Sequence, residues 1–140
     1  MANLELSSGE LVKIIKPHLP DEVKNLKGTD SGFIFDFKID HGIPLIPKSI
    51  PLKIEYHSFD TTDLIFELTV NSESNILNRA AGKIIKLLSS QLEDILPEGI
   101  VIQESFIYGD ISEQFAESEL EPKIVHAQFE DKTFYLEFKC

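Results

Sequence analysis

The sequence is poor in cysteine, since Cys140 is the only one among its 140 residues. A disulfide framework and a cysteine-based zinc site are thereby excluded, because each needs several cysteines. Basic residues are also scarce: 13 lysines and arginines stand against 24 acidic residues, which gives a formal net charge of −11. We expect no nucleic-acid partner, because binding to a phosphate backbone requires clustered positive charge.

Long hydrophobic runs are missing as well. No stretch approaches the roughly 18 consecutive apolar residues of a membrane helix, so we predict no membrane span. Residues 1–20 lack the pattern of a signal peptide. Hydrophobic residues nevertheless make up 42% of the chain, which is enough to form a core. We therefore expect a single acidic domain over residues 1–140, located in the cytoplasm.

Alternation of apolar and polar residues predicts six strands. They lie at residues 33–39, 50–56, 64–70, 100–108, 124–129 and 133–138. A strand with one apolar and one polar face is typical of an antiparallel sheet that is wetted on one side.

Apolar residues at helical spacing predict two main helices. The first is predicted to have Ser8 as its N-cap and to end near Pro17, because proline has no N–H and clashes with the preceding turn. A short helical turn is predicted through residues 21–27. The second helix, over about residues 72–96, carries a broad apolar stripe. Gly82 within it suggests close approach by the sheet or by another helix.

An offset of 70 residues indicates an internal duplication. The tetrapeptide K-I-I-K occurs at residues 13–16 and again at 83–86, and the last two strands of each half align without a gap. Each half is predicted as helix–strand–strand–strand, over residues 8–70 and 72–140. The fold class is therefore α+β: an antiparallel sheet of about six strands with two main helices on one face. The alternative is a coincidental likeness between two unrelated segments.

The two halves differ most in the connection between their first and second strands. In the first half this connection is apolar and rich in proline, whereas in the second half it is acidic and contains no base. Such opposed chemistry suggests contact surfaces for a protein partner or for a second copy of the chain. The candidate contact residues are Ile43, Leu45, Ile46, Ile50, Glu113, Glu117 and Glu119. The alternative for the apolar residues is that they fold back onto the core.

Phe33, Phe35 and Phe37 form an aromatic stripe on one predicted strand. Such a stripe belongs either to the core or to the lining of a cavity between sheet and helices. The second possibility would suit a small apolar ligand, because ligand cavities are lined mainly by hydrophobic and aromatic side chains.

Catalytic motifs such as G-x-S-x-G, H-E-x-x-H, the P-loop and G-x-G-x-x-G do not occur. Two short segments place carboxylates near imidazoles: Asp40 with His41, and His57 with Asp60 and Asp63. These groups are suited to general-base or metal-ligand chemistry, but Asp and Gly in such sequences are also typical of ordinary turns. We predict no cofactor.

Three hypotheses of function follow from these observations. The first is a non-enzymatic binding or adaptor domain that acts through protein contacts. The second is a carrier of a small apolar ligand held between the sheet and the helices. The third is a metal-assisted or acid–base enzyme that uses the two histidine segments.

Overall fold

The computed structural model describes residues 2–39, 42, 44–93, 96, 99–112 and 121–139. In these ranges the strands are β1 (Ala2–Ser7), β2 (Val23–Gly28), β3 (Gly32–Lys38), β4 (Ser49–Phe59), β5 (Asp63–Val70), β6 (Ile100–Gln103), β7 (Phe106–Asp110), β8 (Lys123–Glu130) and β9 (Thr133–Lys139). The helices are α1 (Ser8–Ile15), α2 (Asn75–Arg79) and α3 (Ala81–Leu92), and a 3₁₀ turn covers Lys16–His18.

The strands form two antiparallel sheets. The larger sheet has the order β2-β3-β4-β5-β7-β6, and the smaller has the order β1-β9-β8. The structure thus confirms a mixed α+β fold built on antiparallel sheet, including a sheet of six strands. The strands that form this sheet differ from those predicted. β8 and β9 are not part of it; they pair with each other, and β9 also pairs with β1. The last two strands of the first half lie in the larger sheet, whereas those of the second half lie in the smaller sheet. The structure therefore does not confirm the internal duplication, which stays a prediction.

One face of the larger sheet carries most of its apolar side chains. The register sets Phe37 opposite Ile50 and Leu52 opposite Val70, so alternate residues of β3, β4 and β5 share this face. At one end of the face, α2 and α3 cover these side chains, and Ile84 of α3 is buried among them. Burial of apolar area on this scale is the main favourable term in folding.

The other end of the same face is covered by the smaller sheet and by α1. Phe33 of β3 meets Phe129 of β8 edge to face, with ring centroids 5.8 Å apart. Leu136 of β9 and Leu11 of α1 belong to the same cluster. The core therefore has two parts, which lie over opposite ends of one sheet.

Helix α1 begins one residue earlier than predicted. Ser7 and Glu10 form a reciprocal capping box, in which each side chain accepts a hydrogen bond from the backbone N–H of the other residue. Ser8, the predicted cap, is instead buried and donates its backbone N–H to the carbonyl of Lys132. Pro17 lies in the 3₁₀ turn that ends the helix.

The helical turn predicted for residues 21–27 is wrong, because most of this segment is strand β2. Val23 and Leu26 are three residues apart, which is a helical spacing. In the structure a bulge between Lys24 and Lys27 adds a residue to the strand. Both apolar side chains consequently contact the same space, although an unbroken strand would direct them to opposite faces.

Two further elements differ from the prediction. Residues 100–108, predicted as one strand, form the β6–β7 hairpin, whose turn includes Glu104 at φ 58°. The second helix is interrupted at Ala80, which separates α2 from α3. Within the described part of this single chain no element approaches Gly82 closely, since an added Cβ there would meet nothing within 4 Å. The predicted contact with another helix across a dimer axis stays a prediction. None of the helices in the described ranges has the length and apolarity needed to cross a membrane.

Candidate functional site

An apolar cavity of about 260 Å³ lies between the two parts of the core. We call it the inner cavity. Its lining residues are all apolar and come from α1, the segment after it, and five strands of the larger sheet. They are Ile15, Leu19, Val23, Leu26, Phe33, Phe35, Ile54, Phe66 and Ile107.

The position of the inner cavity follows from how the sheet is covered. Phe35 and Ile54 also pack against the part of the core beneath α2 and α3. Ile15 and Phe66 also pack against the part beneath the smaller sheet. The two covering layers are anchored at opposite ends of the sheet, and the space between them is bounded below by strands and above by the end of α1.

Strand β2 forms one wall of the inner cavity. Asn25 lies in the bulge at φ 58°, a left-handed conformation that asparagine adopts more readily than most residues. Its side-chain amide donates a hydrogen bond of 2.8 Å to Oδ2 of Asp36 on β3. The bulge turns Leu26 toward the cavity, beside Val23.

The predicted phenylalanine stripe is divided between cavity and core. Phe33 and Phe35 line the inner cavity. Phe37 does not; it is 2% exposed and packs within the part of the core beneath α2 and α3. The second hypothesis placed the ligand between the sheet and the helices. The roof of the inner cavity comes from Ile15 of α1 and from Leu19, and no described residue of α2 or α3 lines it.

The other lining residues show what the sequence could reveal. Ile54 and Phe66 lie on predicted strands, in register with apolar neighbours, so their shared face was foreseeable from alternation. Leu19 and Leu26 gave no such signal, because the first lies in a loop and the second in the bulge.

A second cavity of about 720 Å³ runs beside α3, and we call it the α3 groove. It is bounded by the end of β5, the first half of α3 and the β6–β7 turn. Five of its ten lining residues are polar, among them Lys86 and Glu104, which have opposite charge. The surface that lines it is nevertheless mainly apolar, so the α3 groove differs from the inner cavity chiefly in the charged groups beside it.

The proline-rich loop divides its described residues between core and surface. Ile46 is 8% exposed and Ile50 is 0% exposed, and both belong to the core beneath α2 and α3. Leu45, immediately before Ile46, is 85% exposed and has φ 68°. Of these three, Leu45 alone offers its side chain to a partner. The other candidate contact residues, Ile43, Glu113, Glu117 and Glu119, lie outside the described residues.

The histidine segments are seen only in part, because Asp40 and His41 also lie outside the described residues. His57 is exposed; its Nδ1 lies 2.9 Å from Oγ of Ser58, and its ring meets Phe106 edge to face. Oδ1 of Asp60 accepts the backbone N–H groups of Thr62 and Asp63, which is a turn-forming role.

Carboxylates do cluster near this turn. Asp63 lies opposite Asp110 in the β5–β7 pair. Partial burial raises the pKa of Asp63, and the negative charges of Asp60 and Asp110 raise it further. Within the part of the chain that the structure describes, no three His, Cys, Asp or Glu residues are grouped so as to hold a metal ion.

The inner cavity is the site whose lining, as far as the structure describes it, is wholly apolar. Its chemistry offers burial of apolar surface and contact with aromatic rings, and the described residues that line it include no acid, base or nucleophile. No family model matches the chain, and comparisons with curated proteins and with solved structures gave no match either.

Proposed function

We propose that the protein binds a small apolar ligand in the inner cavity and acts as a carrier. One observation carries this proposal: all nine lining residues of a cavity of about 260 Å³ are apolar. Specific ligand sites are concave and mostly apolar, and they are formed before the ligand arrives. Reaction of the ligand is not part of the proposal, because the lining holds no group that transfers a proton or attacks a bond.

The free-energy cost of leaving apolar side chains without packing contacts supports this function. Protein interiors are close-packed, so an unfilled apolar cavity forfeits dispersion contacts along its walls. The inner cavity is partly open, and eight of its nine lining residues are half-buried, so the apolar surface that a ligand would cover is in contact with water. A ligand that fills the cavity restores those contacts and stabilises the folded state.

The volume also sets the size of the ligand. An engineered apolar cavity of about 150 Å³ binds benzene, which has six non-hydrogen atoms. By proportion, the inner cavity accommodates an apolar body of roughly ten non-hydrogen atoms. Edge-to-face contact with Phe33 and Phe35 would favour an aromatic ring or a compact hydrocarbon chain.

Thermal unfolding with n-butylbenzene, which has ten carbon atoms, tests the proposal. We expect a saturable rise in Tm for the wild-type protein. Ile107→Phe places extra volume in the inner cavity and should abolish that rise. Ile65→Phe is the matched control, because Ile65 lies on the same sheet but lines neither the cavity nor the core beside it. This control should retain the ligand-dependent rise.

Native mass spectrometry of protein taken directly from expressing cells gives an independent test. A bound small molecule with an apolar body of roughly ten non-hydrogen atoms, lost in Ile107→Phe, supports the proposal. If n-butylbenzene leaves the wild-type Tm unchanged and no bound species appears, the inner cavity does not serve as a ligand site.

A protein contact through Leu45 is a second candidate function. Leu45 is almost fully exposed in a left-handed backbone conformation, which disfavours leucine. An exposed leucine held in this way suits an anchor for a partner or for a second copy of the chain. Sedimentation of the wild-type protein and of Leu45→Ser tests self-association, which only the wild-type protein should show.

A further inference from the structure

A further pocket, distinct from the α3 groove and also of about 260 Å³, adjoins the inner cavity at the edge of the larger sheet. We call it the outer pocket; it lies between strand β2 and the segment that follows α1. Leu19, Val23 and Leu26 line both spaces. These three side chains therefore form the boundary between the inner cavity and the outer pocket.

The boundary lies at an open edge of the fold. Strand β2 is the first strand of the larger sheet and pairs with β3 alone. Leu19 and Leu26 are half-buried. A ligand that spans both spaces requires a rotamer change at one of these leucines, which their partial burial leaves room for.

The outer pocket differs from the inner cavity in its charge. Its remaining lining residues are Lys16, Pro20, Asp21, Lys24 and Asn25. In the lining itself two lysines outnumber one acid, although the whole chain has a net charge of −11. Asp36, which lies opposite Lys24 in the β2–β3 register, adds a negative charge outside the lining. Among the described residues, neither lysine ammonium makes an ion pair or a side-chain hydrogen bond. The amide of Asn25 is already engaged by Asp36.

We infer that the ligand is an amphiphile with an anionic head group. Its apolar body occupies the inner cavity, and its head group lies in the outer pocket, between Lys16 and Lys24. This inference rests on the proposed function and assigns the chemical class of its ligand. A carboxylate is the simplest such head group, because it accepts charge-assisted hydrogen bonds from both ammonium groups while it stays in contact with water.

Neither space alone suits both parts of an amphiphile. An anion cannot enter the inner cavity without losing its hydration, since nothing in the lining replaces it. A hydrocarbon in the outer pocket would stay largely exposed. A molecule that spans the boundary buries its apolar part and leaves its charge at the surface, opposite two cations.

Octanoate and 1-octanol provide the test, because they share a chain length and differ in charge. We expect the wild-type protein to bind octanoate more tightly at low salt and to lose this preference as salt is raised. Replacing both lysines, Lys16→Met with Lys24→Met, should weaken octanoate binding roughly two- to fivefold per lysine, as for exposed ion pairs. Binding of 1-octanol should not change. Lys13→Met is the control, because Lys13 is exposed on α1 and lines neither space.

The outcomes distinguish an error in the head-group assignment from a failure of the proposed function. If both ligands bind equally and the double variant changes neither, the head-group assignment is wrong while the inner cavity remains a ligand site. If neither ligand binds, or if Ile107→Phe leaves both affinities unchanged, the proposed function fails together with the inference.

Discussion

Asn25 on β2 donates its side-chain amide to Oδ2 of Asp36 on β3 across 2.8 Å. This hydrogen bond holds the one residue of β2 that has a left-handed backbone, at φ 58°. The bulge at Asn25 is what brings both Val23 and Leu26 to the inner cavity. A polar contact between two strands therefore shapes an apolar wall on the other side of the sheet.

Replacement of Asn25 tests this relationship. Asn25→Val should lower the free energy of unfolding by about 1–2 kcal/mol, because a β-branched residue is strained at positive φ. It should also weaken ligand binding, since relief of the strain shifts Leu26. Urea unfolding and the n-butylbenzene-induced rise in Tm measure the two effects.

Asn25→Gly separates the backbone from the hydrogen bond. Glycine adopts positive φ freely but cannot bond to Asp36, so we expect a loss of only about 0.5–1 kcal/mol, with ligand binding retained. Equal losses for the valine and glycine variants would show that the conformation of Asn25 does not matter.

Two neighbouring residues of the proline-rich loop should respond in opposite ways. Ile46→Ser removes a core side chain and should destabilise the protein by about 2–5 kcal/mol. Leu45→Ser changes an exposed side chain and, at protein concentrations too low for self-association, should stay within about 0.5 kcal/mol of wild type. Urea unfolding compares them directly. A large loss for Leu45→Ser would mean that Leu45 is covered in solution.

The elements that could be predicted from the sequence share one property. Strands β3, β4 and β5 and the β8–β9 hairpin each have one apolar and one polar face, and period-two alternation reports this directly. The placement of β8 and β9 in a separate sheet could not be foreseen. Alternation shows that a strand has an apolar face, but not which distant strand it pairs with; here the partner is β1.

The site was harder to predict than the fold. Phe33 and Phe35 stood out because aromatic residues on one strand face suggest a lining. Leu26 could not be assigned, because the bulge gives β2 the apolar spacing of a helix. The turn at Glu104, which divides residues 100–108 into two strands, could not be predicted for a related reason. Glutamate is not a residue that marks a left-handed turn, as Gly and Asn do.

Two glycines should differ sharply in their tolerance of alanine. A Cβ at Gly32 would lie 1.9 Å from the carbonyl oxygen of Ile54, so Gly32→Ala forces β3 and β4 apart. We expect a loss of more than about 2 kcal/mol, as for other overpacked sites. Urea unfolding is the measurement.

Gly82→Ala is the matched control, since nothing lies within 4 Å of the added Cβ. It should be neutral or stabilise the protein by up to about 1 kcal/mol, through the higher helix propensity of alanine. A large loss at Gly82 would indicate that the α3 groove is occupied or closed in solution.

Asp63 should make the stability of the protein depend on pH. Its pKa is raised above the ordinary value near 3.8, first by partial burial and then by Asp60 and Asp110. A carboxyl group whose pKa is higher in the folded state favours folding when it is protonated. Its contribution is fully present below the unfolded-state pKa and is lost as pH rises through the folded-state pKa.

Asp63→Asn should therefore be more stable than wild type at pH 7, by roughly 0.2–1 kcal/mol for relief of a like-charge pair across strands. The difference should disappear near pH 3, where the wild-type carboxyl is protonated. Urea unfolding at the two pH values measures it, and Asp30→Asn is the control, because Asp30 is exposed. A variant that is less stable than wild type at pH 7 would contradict this prediction, because it would mean that the negative charge on Asp63 has a favourable partner in the folded protein.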